Sequence, residues 1–159
     1  MEDTAEGSGI LHEFQPSRIM VCFDGSNHSL RALSTGISLS SKYQSLLIVA
    51  YAIPLPLNGF GLGEPYYEWD QFEKAAKTRV EKLLKPYAKK ATAAGVTMDA
   101  KYLGGTVSVP ESLLRAAEET ACDLIIMGSR GLGGFKGLML GSVSHVLVTN
   151  SKVPVLIVK

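Results

Sequence analysis

A chain of 159 residues with 46% apolar composition fits one globular domain, with a core large enough to do without disulfide staples. Its formal net charge of +1 offers none of the basic excess that nucleic-acid or membrane-surface partners usually require, so no partner of either class is expected. The longest apolar run, residues 46–57, is interrupted by Pro54 and Pro56 and is too short to span a bilayer.

Residues 1–16 are acidic and lack the apolar core of a signal peptide. They read as a disordered lead-in to a single domain over 17–159, and a cytoplasmic address is the default expectation. "RIMVCF" (18–23) is short, β-branched and nearly continuous, as a strand buried on both faces should be. "DGS" (24–26) follows, and Ser26 can cap a helix over 27–42. "LLIVAYAI" (46–53) is a second buried strand, followed by an aperiodic stretch (54–69) rich in Gly, Pro and aromatics. Connections of that length are often lids or binding loops, although a variable surface excursion whose aromatics pack down on the scaffold is the commoner case.

A helix is expected from about 68 to 94, with a kink or break at Pro86. Its pairs Glu73/Lys77 and Glu81/Lys85 stand at i,i+4 and read as a solvated face. "VTMDAKYL" (96–103) alternates apolar and polar residues, which suits an edge strand. Ser108 and Glu111 form a capping-box pattern opening a helix to about 121. "LIIM" (124–127) is a strand, residues 142–150 are the last helix, and "VPVLIV" runs from Val153 to Val158 as the last strand.

Strands and helices alternate, and right-handed crossovers make the product an open parallel five-stranded sheet with helices on both faces, a Rossmann-like α/β fold. With the alternating strand at the edge and the first strand central, the simplest order is 3-2-1-4-5. Ligands in such sheets bind at the carboxyl ends of the strands flanking the point where the order reverses. Two segments fall there: Asp24 to Ser26, and the glycine-rich stretch that follows the fourth strand. Gly128 and Gly131 would permit a tight turn and a close backbone approach. Gly141-Ser142 opens a helix whose free N–H groups suit an anion. Ser129 and Ser142 can add hydroxyl donors. Arg130 and Lys136 are within the same stretch, although a solvated basic side chain is the commoner role for either. Asp24 would bind a divalent cation or a sugar hydroxyl, or serve as a plain turn former.

Other chemistries find no support. Lys136 lacks the Walker A context, Gly131-x-Gly133 is followed by Lys136 where a dinucleotide fingerprint needs glycine, and no nucleophile elbow is present. His12, His28 and His145 have no metal-ligand spacing. Cys22 and Cys122 fall near opposite ends of their strands, beyond disulfide reach, and read as reduced buried thiols.

Gly128-x-x-Gly131, nine residues, then Gly141-Ser142 resembles the nucleotide-binding motif of the universal stress proteins. "DLIIMGSRG", "VPVLIVK" and "IMVCFDGS" are similar to that family as well, so that the likeness covers about residues 17–159. The resemblance implies an adenine nucleotide, ATP with Mg²⁺, at the switch point of a homodimer. Asp24 would face the ribose and metal, and the backbone of Tyr51 would read the adenine edge. Met127 and Val143 would line the pocket, and Gly128, Ser129, Gly131, Gly141 and Ser142 would hold ribose and phosphates. Cys22-Phe23 replaces a Pro-Thr-like pair of some members, narrowing the expected pocket, and "GGTVSVPES" (104–112) is longer than the usual turn.

The last strand, 153–158, is apolar with Pro154 near its start, and such an edge invites pairing with its own copy. The function expected is a homodimeric ATP-binding stress-response protein with slow or no hydrolysis, since no base is poised beside the phosphates. The alternatives are an ATP-hydrolysing or adenylating enzyme on this fold and a nucleotide-free dimeric interaction module.

Overall fold

The computed structural model describes residues 13–55, 65–132 and 140–159. The lead-in up to residue 12, the middle of the 54–69 connection and the stretch 133–139 with Lys136 lie outside the described residues. The elements are β1 (Arg18–Cys22), α1 (Asn27–Tyr43), β2 (Leu46–Pro54), α2 (Pro65–Ala93), β3 (Met98–Thr106), α3 (Val109–Glu119), β4 (Leu124–Gly128), α4 (Ser142–Asn150) and β5 (Val155–Val158). Their strands form one sheet in the order β3-β2-β1-β4-β5, every pairing parallel. No described helix is long and apolar enough to cross a membrane.

Alternation along β1 explains both cores. Ile19, Val21 and Phe23 face one side and pack with Leu33 and Ile37 of α1 and Val80 and Leu84 of α2. Met20 and Cys22 face the other and pack with Leu113 of α3 and Leu147 of α4. Every residue of β4 is buried, which is why its sequence is a continuous apolar run.

At the amino end of the sheet, Asp123 ties the chain's entry to β4. Its Oδ2 accepts from Ser17 N–H at 2.7 Å, Ser17 Oγ at 2.8 Å and Arg18 N–H at 2.8 Å. Partial burial pushes this carboxyl up, but those donors and the Arg18 charge outweigh it and hold it below the ordinary carboxylate range. Beside it Pro16 is fully buried, its carbonyl accepting from Ser45 Oγ.

Several boundaries differ from expectation. α2 begins at Pro65, three residues ahead of the expected start, and passes Pro86 without a break. Pro86 is on an exposed part of the helix, where water can take up the carbonyl that proline cannot satisfy. Of the two expected i,i+4 pairs only Glu73–Lys77 closes, at 2.7 Å. β3 runs later than expected because Leu55 N–H bonds Thr106 O at 3.0 Å and draws Gly104 and Gly105 into the strand. Ser108 is the N-cap of α3 but its side chain makes no capping bond, so the capping box does not close. Val153 and Pro154 precede β5, although Pro154 O already accepts from Ile125 N–H at 3.0 Å.

Candidate functional site

β1 lies between β2 and β4, and beyond their carboxyl ends opens a cavity of about 630 Å³. Cys22 and Met127 form its floor, Tyr51, Ala52 and Pro54 of β2 one wall, and Val109 and Leu113 of α3 another. Asp24, Arg130, Gly131 and Leu132 make the rim, and Gly141, Ser142, Val143 and Ser144 bring in the first turn of α4. Of the expected site residues, Cys22, Asp24, Tyr51, Met127, Gly128, Arg130, Gly131, Gly141, Ser142 and Val143 are brought together here. Ser129 is not.

Asp24 acts on two segments at once. Oδ1 accepts from Ser26 N–H at 2.9 Å, a local turn that delivers the chain into α1. Oδ2 accepts from Leu132 N–H at 3.1 Å and so holds the glycine-rich segment over the end of β1. Ser26 then caps α1 through Oγ, taking Ser29 N–H at 3.2 Å, while Ser29 Oγ takes Gly25 N–H at 3.1 Å.

The glycines answer to contacts within the chain. Neither Gly128 nor Gly131 has positive φ, so neither needs glycine for its backbone conformation. A Cβ on Gly128 would lie 2.6 Å from His28 Cβ and 2.9 Å from its carbonyl carbon, because β4 ends hard against the start of α1. A Cβ on Gly131 would lie 2.5 Å from Asp24 Oδ2. Gly141 is less crowded, its nearest neighbour at 3.4 Å, and it serves as the N-cap of α4.

Ser129 turns away from the cavity. It is 3% exposed, and its Oγ meets His28 Nδ1 at 3.3 Å. Its N–H donates to Val158 O at 2.8 Å and its carbonyl accepts from Gly141 N–H at 2.7 Å. The residue joins β5, α1 and α4 instead of lining the pocket. Ser144 takes an analogous role in α4, its Oγ donating to Gly128 O at 2.9 Å.

The first N–H of α4 used within the helix is that of His145, bonded to Gly141 O at 2.9 Å. Those of Ser142, Val143 and Ser144 have no acceptor among the described residues and lie at the cavity, where the positive end of the helix favours an anion. On the β2 side the parity of the strand matters. Ala50 O accepts from Phe23 N–H at 2.9 Å, so the Ala50 peptide groups face β1. By alternation those of Tyr51 face β3 and those of Ala52 face β1, which has ended at Cys22. Ala52, not Tyr51, therefore offers backbone donor and acceptor to the cavity, while the Tyr51 ring packs on Phe23 with centroids 6.4 Å apart.

Sequence reasoning missed Ala52 for want of that parity. It missed Val109 and Leu113 although their i,i+4 spacing at the start of α3 was a usable signal. Burial raises the Cys22 thiol far above its usual range, with Cys122 and Asp24 adding to the effect, and burial pushes Cys122 up to about 11. Both cysteines are free and buried. No cluster of three or more metal-ligating side chains occurs among the described residues. Asp24 alone fits a cation such as Mg²⁺ that takes one carboxylate and completes its shell with phosphate oxygens and water.

A parallel 3-2-1-4-5 sheet with its cavity at the switch point defines an α/β protein of the doubly wound class. Within that class, residues 16–159 match the Universal stress protein family, and the chain belongs to it. It is 37% identical over 142 residues to the "Universal stress protein in QAH/OAS sulfhydrylase 3'region" of Thermus aquaticus, covering 89% of this chain and 97% of that protein. A universal stress protein solved in complex with cAMP superposes with a TM-score of 0.66 at 28% identity, over 92% of this chain and 99% of that one. The fold is also that of an Archaeoglobus fulgidus universal stress protein solved in complex with dAMP, with a TM-score of 0.58 at 18% identity, over 92% of this chain and 100% of that one.

Proposed function

We propose that this protein binds an adenine nucleotide, ATP with Mg²⁺, in the cavity between β1 and β4, and works as a homodimer that reports or uses nucleotide occupancy under stress. The observation that carries the reading is the meeting of two features in one space of about 630 Å³: the first N–H groups of α4, which have no acceptor among the described residues, and the Asp24 carboxylate. In this reading the α4 N-terminus takes phosphate oxygens, with Arg130 at the rim. Asp24 accepts from ribose hydroxyls or holds the cation through its remaining lone pairs. Cys22, Met127, Val109, Leu113 and Val143 cover the base, and the Ala52 peptide reads its edge. The relative solved with cAMP supports an adenine nucleotide in such a cavity.

Turnover is slow or absent in this reading. The ionisable side chains lining the cavity among the described residues are Cys22, Asp24, Tyr51 and Arg130. Asp24 is already engaged by two backbone donors, and the Cys22 thiol is held protonated, so neither is a poised base. Homodimer formation is assigned to β5, the edge of the sheet, where Leu156 is 38% exposed.

One observation favours a second reading, a nucleotide-free dimeric interaction module. Gly128 is demanded by His28 and Gly131 by Asp24, so both glycines have reasons to persist without a ligand. Calorimetric titration of ATP–Mg²⁺ into refolded, nucleotide-free protein separates the two. A micromolar dissociation constant, about −8 kcal/mol, is expected. Absence of heat and of competition across temperatures would leave the second reading.

A further inference from the structure

The net charge of +1 is spread unevenly, with a run of lysines along α2. On α2, Lys74, Thr78, Lys82, Lys85 and Lys89 follow at helical spacing and form one exposed stripe, about 22 Å long at 1.5 Å per residue. Arg79 flanks it, also exposed. None of these cations takes part in an ion pair among the described residues. Among the carboxylates of α2, Glu73 pairs with Lys77 beside Gly104, and Asp70 and Glu81 stand one turn before Lys74 and Lys85 on the acidic border of the stripe. A shallow depression is centred on the small side chains of Ala75 and Thr78 and rimmed by Lys74, Arg79 and Lys82. Phe72, 44% exposed, lies along the far border of the stripe, whereas Leu83 turns its Cδ1 toward Gly25.

We propose that this face of α2 docks the protein on an anionic lipid bilayer, with Lys74, Arg79 and Lys82 around a phosphate-bearing headgroup and Phe72 entering the interface beside it. The chemistry favours lipid over nucleic acid. Clustered lysines on a helix face are attracted to anionic headgroups without needing sequence or groove geometry. An exposed large apolar side chain at the border gains by entering a bilayer, whereas a phosphate backbone offers it nothing. α2 packs on α1 and β3, at the opposite side of the sheet from β5. Pairing through β5 therefore leaves this face open, and docking is independent of nucleotide binding.

The test is sedimentation of the full chain with phosphatidylcholine vesicles, with and without a one-third content of phosphatidylglycerol. Binding is expected only to the anionic vesicles and is reversed at about 0.5 M salt, where the Debye length falls to about 4 Å. The variant K74E/K82E/K85E, with its fold checked by circular dichroism, should bind about a hundredfold more weakly. Charge reversal at Lys42, on another helix, should leave binding unchanged. Should the triple variant fail to fold, single reversals read against the wild-type salt curve serve the same purpose. Equal binding to both vesicle types, no binding, binding untouched by the reversals, or tighter retention by duplex DNA than by the vesicles at equal salt would each overturn the proposal.

Discussion

A Cβ on Gly131 would stand 2.5 Å from Oδ2 of Asp24, the oxygen that accepts Leu132 N–H at 3.1 Å. The carboxylate at the end of β1 and the glycine after β4 are thus fitted to each other. Gly131→Ala forces the carboxylate to swing and release Leu132, at little cost in stability because a side chain can move. Asp24→Asn keeps an acceptor for Ser26 N–H but presents an amide to Leu132. Both variants should weaken nucleotide binding by about tenfold, the equivalent of one charge-assisted hydrogen bond, in calorimetric titration. Unchanged affinity in both would remove Asp24 from the ligand site.

Gly128 and Gly141 should behave in opposite ways. At Gly128 the added methyl meets the backbone of His28 at 2.9 Å, and Gly128→Ala should cost about 2 kcal/mol in urea unfolding. At Gly141 the nearest atom is at 3.4 Å, so an alanine is tolerated. Gly141→Val projects into the α4 N-terminus and should abolish nucleotide binding with the dimer intact.

Edge pairing through β5 is tested at Leu156, whose side chain is partly exposed. Leu156→Glu places a charge where a second copy would bury it, and should raise the dimer dissociation constant about a hundredfold in sedimentation equilibrium. A wild-type chain that sediments as a monomer at tens of micromolar would dispose of the dimer altogether.

Asp123 sets an acid limit. Its folded carboxyl is held below the unfolded value of about 3.9, so the stability it provides is fully present above that pH and is lost as pH falls through the folded value. Asp123→Asn should cost about 1 kcal/mol at neutral pH and flatten the acid limb of the stability curve. An acid limb identical to wild type would show that the three donors of Ser17 and Arg18 contribute nothing.

The cysteines act at the other end of the scale. Both folded thiols are raised above the unfolded value of about 8.5, so their contribution is complete below that pH and declines as pH rises through it, for Cys122 toward about 11. Alkylation at pH 8 should therefore be slow for both in the folded protein. Because Cys22 lines the cavity and Cys122 does not, ATP–Mg²⁺ should slow labelling of Cys22 alone. Peptide mass mapping reads this directly, and equal protection of both would indicate a general tightening.

The strands and their order were legible because buried parallel strands leave continuous apolar runs, and β1 and β4 are buried almost throughout. Boundaries set by other parts of the chain were not. Gly104 and Gly105 enter β3 only because Leu55 reaches Thr106, a contact no local pattern encodes. At the site, residue types at the switch point were legible but orientation was not. Ser129 and Arg130 are adjacent, yet one turns inward to His28 and the other lines the cavity. Tyr51 and Ala52 differ only in strand parity, fixed by how Phe23 pairs with Ala50. That α2 is not broken at Pro86 depends on how the helix lies on the sheet, which leaves Pro86 exposed.

The two ends of the chain also differ in a way that bears on handling. Pro16 and Ser17 are pinned at the amino end of β1, a strand length of about 16 Å from the cavity. Val158 accepts the Ser129 N–H at the cavity end, with Lys159 directly beyond it. A purification tag or fused reporter on the amino side joins a described chain that enters at the end of the sheet remote from the pocket. The same cargo attached after Lys159 would crowd both the pocket mouth and the sheet edge, and its effects would pass for those of the protein itself.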